Sequence, residues 1–505
     1  MKHFFSQKGS PASQTGQMGR KLTIVAMSVF VVFLTTVNSA LAKKGITMDF
    51  KDEMYSLKTA ILNSESLYGT IEAQTGINLY GVNFYNLDGA AQSRVDQVVY
   101  SHIDKYRALV AEGETSNYAF HLPMRSTPWA SSYFNRIFGG IAGRWQETVG
   151  FSTYHRLNQK AHVAFLSLDP DDLLSDSEVL EKLRSMSRED LDKLSPIEKF
   201  DIIRGKYQFP GTTFEMVERG AYSETGIVTK IANSLLKRNR VIPSWITHIR
   251  APWQGFCNGK ASASIALPEP VSDIEVSNAD GINVTLKIAD LKALASAAYF
   301  FNEKYVSLGR PTKTHHLVTH EFSPNMAVFD FALRSYLMGL NKSFIIDNHA
   351  NAAINNVALN GYERTIKSIK PLSKFSRKER EEILTQNPQT AKVAEVLTKL
   401  FFVNHLTTSK ESDQRTVEDI VYKGKYIKDM KIRYLLFLDG EGNIIDGKLT
   451  DGDLDFAWFP AGKGADATHE ELDKETGRME KQGNEELDFD MISNLVYRSA
   501  GRIYN

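Results

Sequence analysis

Cys257 is the only cysteine in a chain of 505 residues. One cysteine cannot close an internal disulfide, so the fold must be held by buried surface and hydrogen bonds. The constraint is sharper because the chain begins as exported proteins do, and those tend to use cysteines in pairs. Arg20 and Lys21 precede an apolar run from Leu22 to Leu34. A more polar stretch, Thr35 to Ser39, follows, and Ala40-Leu41-Ala42 has the small-x-small pattern of a cleavage site. The apolar run is about 13 residues, short of the roughly 20 that span a bilayer. A signal peptide over 1–42 is expected. The mature chain would then start at Lys43, be secreted or periplasmic, and have no membrane partner after cleavage. For the cysteine three fates stay open: an inert core thiol, half of an intermolecular bridge, or a free reactive thiol.

Acidic and basic residues balance at 60 each, and the hydrophobic share is 42%. Neither a strong basic field nor a basic-aromatic tract is present, so no nucleic-acid partner is expected. From Met48 to about Gly113 the pattern is helical, with Val95, Val98, Val99, Ile103, Tyr106 and Leu109 at spacings near three and four. His121 to Gly150 reads as a packed aromatic loop. Asp169 to Arg204 reads as short amphipathic helices, with Ser195-Pro196-Ile197-Glu198 a capped helix start. A hairpin is expected over 274–288, helices over 288–301 and 324–338, a short buried strand over 343–346 and an extended segment over 357–369. Arg377 to Leu384 and Thr390 to Phe402 read as helices. Ile432 to Leu438 and Ile444 to Leu449 form a hairpin, Asp455 to Pro460 ends a third strand, 463–486 is a charged loop, and a last helix runs from Phe489 to Arg498. The class is α+β.

The segment Trp253-Gln254-Gly255-Phe256-Cys257-Asn258-Gly259-Lys260 reads as a sharp turn feeding a short helix. A thiol at a helix N-terminus is favoured as thiolate by the backbone N–H groups. A nucleophilic cysteine also needs a base, and the base an orienting partner. Downstream, His315, His316, His320, His349, His405 and His469 are candidates for the base, and Asp330, Asp347 and Asp439 for its partner.

Several segments together resemble the transglutaminase elicitor family, secreted oomycete enzymes with bacterial relatives. They are Thr127-Pro128-Trp129 with Ser132-Tyr133, Leu194 to Asp201, Trp253-x-Gly255-x-Cys257-Asn258-Gly259 with Pro268-Glu269-Pro270, Asp290 to Leu294, and Asp455-Phe456-x-Trp458-x-Pro460. The resemblance implies a papain-like, transglutaminase-like cysteine core with a large helical N-terminal part. It divides the chain into 1–42, a helical region 43–125, a transglutaminase elicitor-like domain 126–460, and a charged loop and helix over 461–505. It implies acyl transfer from a protein glutamine to a lysine amine or water through a thioester on Cys257. Trp253 would shape the acyl pocket and Gln254 help bind the oxyanion. Asp347 matches the orienting acid. Asp330 stands where the family pattern has a histidine, and Lys260 and Asn355 where it has tryptophans. Two explanations follow: another histidine, His320 being the one selected and His316 and His349 its neighbours, serves as base; or the chain is a catalytically degenerate binding protein on the same scaffold. No cofactor is expected; Asp439 to Asn443 and Asp451 to Asp455 match calcium loops in composition only and read as turns.

Overall fold

An eight-stranded antiparallel sheet organises the molecule. The structure is a computed structural model that describes residues 49–135, 139–144, 174–217, 255–310, 323–348, 354–408, 410–463, 470–472, 479–481 and 484–502. The expected signal peptide over 1–42 lies outside the described residues. The strands used below are β1 (Asn117–His121), β2 (Ile274–Ser277), β3 (Asn283–Leu286), β4 (Glu303–Gly309), β5 (Ile345–Asp347), β6 (Asn356–Pro371), β7 (Lys392–Val403), β8 (Ile427–Leu438), β9 (Ile444–Asp451) and β10 (Phe456–Lys463). The sheet order is β4-β10-β5-β6-β7-β8-β9, and β1 pairs with β6 beyond the end of β5. β2 and β3 form the separate hairpin anticipated from the sequence.

Alternation along the strands divides the sheet's two faces. Ile346, Val357, Leu359, Ala457 and Phe459 point into a core shared with the helices Phe50–Asn63, Gly89–Asp104 and Met326–Phe331. Ile345, Ala358, Phe456 and Trp458 point the other way, onto Ala261 of the helix Cys257–Ala266. A second, mainly helical core surrounds the helix Ile288–Asn302 and takes in Trp129, Phe134, Phe256, Ile197 and Phe200. The helix that starts at Cys257 is therefore sandwiched between the sheet and this helical core.

Two readings of the sequence are corrected here. Thr390 to Phe402 is not a helix: Lys392–Val403 is a strand, paired along its length with β6 and β8. Its buried residues Ala394, Val396, Thr398, Leu400 and Phe402 recur every second position, the period of a strand facing a core. Asp455 to Pro460 begins a strand rather than ending one, since β10 runs from Phe456 to Lys463. The expected charged loop contains a short ribbon, Glu470–Leu472 paired with Met479–Lys481. The helix Met326–Phe331 continues to Met338 with wider π-type turns. The Ser195 N-cap is as expected, with both halves of the capping box to Glu198 formed.

Candidate active site

The sequence around Cys257 fixes its helix by close backbone approach. A Cβ at Gly259 would strike the Ser296 carbonyl and the Phe300 amide, so only glycine lets this helix rest directly on the helix Ile288–Asn302. A Cβ at Gly255 would strike the Tyr133 carbonyl, which accepts a 2.7 Å hydrogen bond from the Phe256 N–H. The loop from Trp129 to Asn135 brackets the helix at both ends. Tyr133 holds its start, and Trp129 Nε1 donates to the Leu267 carbonyl just past its end at 3.3 Å. The Ser131 carbonyl of the same loop accepts from the Leu406 N–H at 3.0 Å. One loop thus sets Cys257 and the segment after β7 in register.

The ends of β5 and β6 meet the thiol, and the segment after β7 lies against them. Asp347 closes β5, Asn355 and Asn356 open β6, and His405 follows β7. Asn356 and Asp347 pair in register, on the face that carries Ala358 and Ile345. Cys257 Sγ lies 3.8 Å from Asn356 Nδ2 and 4.0 Å from the Ile354 carbonyl oxygen. Trp458 Nε1 donates to Asn356 Oδ1 at 2.9 Å, which leaves the amide NH2 to point at sulfur. Asp347 Oδ1 accepts from the Asn355 N–H at 2.9 Å, and Asn355 Nδ2 donates to Asn348 Oδ1 at 2.7 Å. Asn355 Oδ1 is left for the His405 ring, 3.2 Å from Nε2. The Tyr133 ring covers this imidazole at 5.2 Å between centroids.

Electrostatics leave the thiol and the imidazole neutral at rest. Burial pushes the Cys257 thiol above its ordinary value; hydrogen bonds from the Asn356 backbone and side chain and from the Asn258 backbone oppose this, and the Asp347 carboxylate adds to the rise. Burial drives His405 well below the usual imidazole value, and the charge of Lys260 lowers it further. His405 is therefore an uncharged imidazole at neutral pH, able to accept a proton. Its Nδ1 is buried and has no hydrogen-bond partner among the described residues. Lys260, one turn along the helix from Cys257, is 0% exposed, and its Nζ is likewise without a partner there.

The site residues expected from the sequence divide as follows. Cys257 begins a helix, and Asp347 stands near it. Trp253, Gln254 and His320 lie outside the described residues, as do His315, His316, His349 and His469; of the six candidate histidines, His405 alone is described. The placement of Asp330 beside the thiol is corrected. Asp330 is 0% exposed on the opposite side of the sheet. Its carboxylate accepts from Arg364 at 2.7 and 3.2 Å, Arg334 at 3.3 Å and Tyr434 at 2.7 Å. Burial alone would raise its pKa, but the two guanidinium groups hold it below the ordinary carboxylate value. The helix Met326–Phe331 presents Asp330 to these arginines because the neighbouring Phe329 and Phe331 are buried in the core on that side of the sheet. Asp439 caps its own turn, accepting from the backbone N–H groups of Glu441 and Asn443 at 2.9 and 2.8 Å. Among the described residues no group of three or more His, Cys, Asp or Glu side chains could hold a metal ion, and no helix is long and apolar enough to cross a membrane.

Residues 244–473 match the model of the transglutaminase elicitor family. Across that stretch the chain is similar to the transglutaminase elicitor family. The matched stretch spans Cys257, Asp347, Asn355, Asn356, His405 and Trp458, so all the strand ends around the thiol lie within it. The loop at Trp129–Asn135 precedes it. The crystal structure of the GP42 transglutaminase from Phytophthora sojae is similar at 17% identity, covering 80% of this chain and 96% of that one with a TM-score of 0.48. No curated protein matches the chain in sequence.

Proposed function

We propose that this elicitor-family protein is an exported, cysteine-dependent acyltransferase of the transglutaminase type. Cys257 is the nucleophile, His405 moves protons and Asn355 orients the imidazole. The observation that carries the reading is the His405 ring, with Nε2 against Asn355 Oδ1 and Nδ1 unpartnered among the described residues. An imidazole that donates at Nε2 presents a lone pair at Nδ1. Cysteine on a helix start, with histidine and asparagine on adjoining strand ends, is the Cys–His–Asn arrangement of papain-like sites. It supports a papain-like core here, with asparagine preceding histidine along the chain.

The chemistry follows from these groups. As thiolate, Sγ attacks the carboxamide carbon of a protein glutamine. The C–N bond breaks as nitrogen takes the proton that sulfur gave up, delivered by His405 Nδ1, and ammonia leaves a thioester on Cys257. A lysine amine or water then attacks the thioester carbon, loses a proton to His405, and sulfur departs to regain it. The Cys257 backbone N–H, free in the first helical turn, and the Gln254 side chain would bind the oxyanion. Asp347 supports the site through the Asn355 backbone. The experiment is incorporation of a labelled primary amine into a glutamine-containing protein by the mature chain. Labelling that vanishes in Cys257→Ala is expected; absence of labelling in the unaltered protein refutes the reading.

One observation favours a second reading. Burial pushes the thiol pKa upward, as befits a binding protein on a retired catalytic scaffold. A Cys257 that ignores thiol electrophiles at neutral pH would select it.

A further inference from the structure

Asn356 touches the thiol, and the chemistry proposed above leaves it unused. Its carboxamide nitrogen lies 3.8 Å from Cys257 Sγ, within hydrogen-bonding reach of sulfur. The residue is buried, at 5% exposure, so water does not compete freely for that amide. Strand register explains the aim. Asn356 and Ala358 share one face of β6, Ala358 pairs with Ile345 of β5, and Ile345 pairs with Trp458 of β10. Trp458 stands on the same face, diagonally across β5 from Asn356, and a diagonal neighbour is within reach of a long side chain. Its indole Nε1 donates to Asn356 Oδ1 at 2.9 Å. An indole N–H can only donate, so the amide turns its oxygen to Trp458 and its NH2 to sulfur. Tyr305 of β4 packs edge-on against the indole, with 5.6 Å between ring centroids.

We propose that Asn356 holds the ionised sulfur of Cys257, donating from its carboxamide and its backbone N–H, and that Trp458 is the positioning residue that fixes which end of the amide faces the thiolate. Asn356 exchanges no proton. Its N–H groups stay intact while the S–H proton leaves to His405 as in the proposed reaction, and the electron pair stays on sulfur. In the resting thiol the S–H faces the Ile354 carbonyl at 4.0 Å. That carbonyl offers nothing to an anion, so the Asn356 donors carry the charge once it forms. The inference rests on the acyltransfer reading for what the thiolate does next and adds the group that stabilises it.

A hydrogen bond to the charged form of a group favours that form, and the bond is stronger when the acceptor is an anion. Burial raises the Cys257 thiol, and the Asn356 backbone N–H and carboxamide are the chief effects opposing it, ahead of the Asn258 N–H. The charged groups of the surrounding elements do not replace them. Asp347 of β5 adds to the rise. Lys260, from the same helix, acts on sulfur through charge alone, since its Nζ makes no hydrogen bond among the described residues. Lys292 of the helix Ile288–Asn302 is paired with Glu269. His405, after β7 and under the Tyr133 ring, bonds Asn355, and burial keeps it uncharged. With the imidazole neutral and the carboxylate adverse, the amide donors bring the thiolate within reach.

The test is the pH profile of Cys257 alkylation by iodoacetamide, read by intact mass, in the purified protein and in Asn356→Leu, Asn356→Asp and Trp458→Phe. Cys257 is half-buried rather than closed off, so the reagent reaches it. Asn356→Leu keeps the size of the side chain and removes its donor. It should lower the rate at pH 7 about tenfold, equivalent to about one pK unit, with the gap closing at high pH. Asn356→Asp sets a second carboxylate beside sulfur and should lower the rate at least as far. Trp458→Phe frees the amide to turn and should shift the profile in the same direction, less far. Superimposable profiles for the unaltered protein and a folded Leu variant overturn the proposal, as does a loss of rate that is uniform across pH, the mark of a merely structural role. An unshifted Trp458→Phe overturns the part given to Trp458. Should Asn356→Leu fail to fold, Asn356→Asp decides in its place by the same criteria. Amine incorporation is scored separately. An Asn356-dependent thiol shift without incorporation retains Asn356 and removes the acyltransferase; incorporation with an unshifted thiol does the reverse.

Discussion

Asp330→Ala separates fold from chemistry. The carboxylate is the shared counter-charge of Arg364 and Arg334 and accepts a hydrogen bond from Tyr434; both guanidinium groups are buried. Arg334 keeps Glu114 at 2.7 Å and the carbonyls of Tyr106 and Ala108, so Arg364 bears most of the loss. Removing one partner of a buried ion pair costs about 3–5 kcal/mol. In thermal unfolding of a chain this long, this is a fall in midpoint of about 3–5 °C. The lowered pKa of Asp330 gives the pH sign. Its contribution is present above the unfolded carboxyl value, near 3.9, and is lost as pH falls through the folded value. The variant should therefore lose much of the acid branch of the stability profile. Because the sheet separates Asp330 from Cys257, alkylation of Cys257 below the variant's melting range should match the unaltered protein. A variant that melts normally but whose thiol has lost reactivity would refute the placement of Asp330 in the core.

Three further outcomes follow from the same geometry. His405→Ala should reduce amine incorporation by about 10²–10⁴-fold while the unfolding midpoint stays within a few degrees; unchanged turnover would remove His405 from the mechanism. Gly255→Ala forces the Tyr133 carbonyl away from the Phe256 N–H and should cost about 1–3 kcal/mol as well as activity, and a variant equal to the unaltered protein on both counts contradicts the close approach. Glu53 accepts from the Gly309 and Asn325 N–H groups at 2.6 and 2.7 Å, and burial pushes its carboxyl up to about 7 against them. Its stabilising contribution is complete below the unfolded value, near 4.5, and is lost as pH rises through 7, a change on the order of 3 kcal/mol. Glu53→Gln should flatten unfolding midpoints between those limits, and an unaltered slope counts against a protonated Glu53.

Local signals in the sequence were read correctly where they act locally. The capping box at Ser195, the helix start at Cys257 and the hairpin around Asp439 each depend on residues within a few positions. The errors came where tertiary context decides. Lys392–Val403 mixes Ala, Leu, Glu and Lys, which favour helix, with Val, Thr and Phe, which favour strand; it lies between two long strands and alternates as they do. Read as a helix, the segment gives no reason to single out His405 among the six candidate histidines; the strand ending at Val403 brings it beside Asn355. A period-two count over Ala394 to Phe402 would have exposed it. Asp330 shows the complementary failure. Spacing along the chain placed its helix, but which face that helix turns to the sheet depends on Arg364 and Tyr434, distant residues that meet it only in the folded protein.

The central claim is that Cys257 forms a thioester. Intact-mass analysis of the purified protein, incubated with a glutamine-containing peptide and no amine acceptor and then quenched in acid, tests it directly. The account predicts an adduct of the peptide less one ammonia, mapped to Cys257, absent from Cys257→Ala and discharged by added lysine. A thiol that alkylates readily while no such adduct ever forms would contradict it.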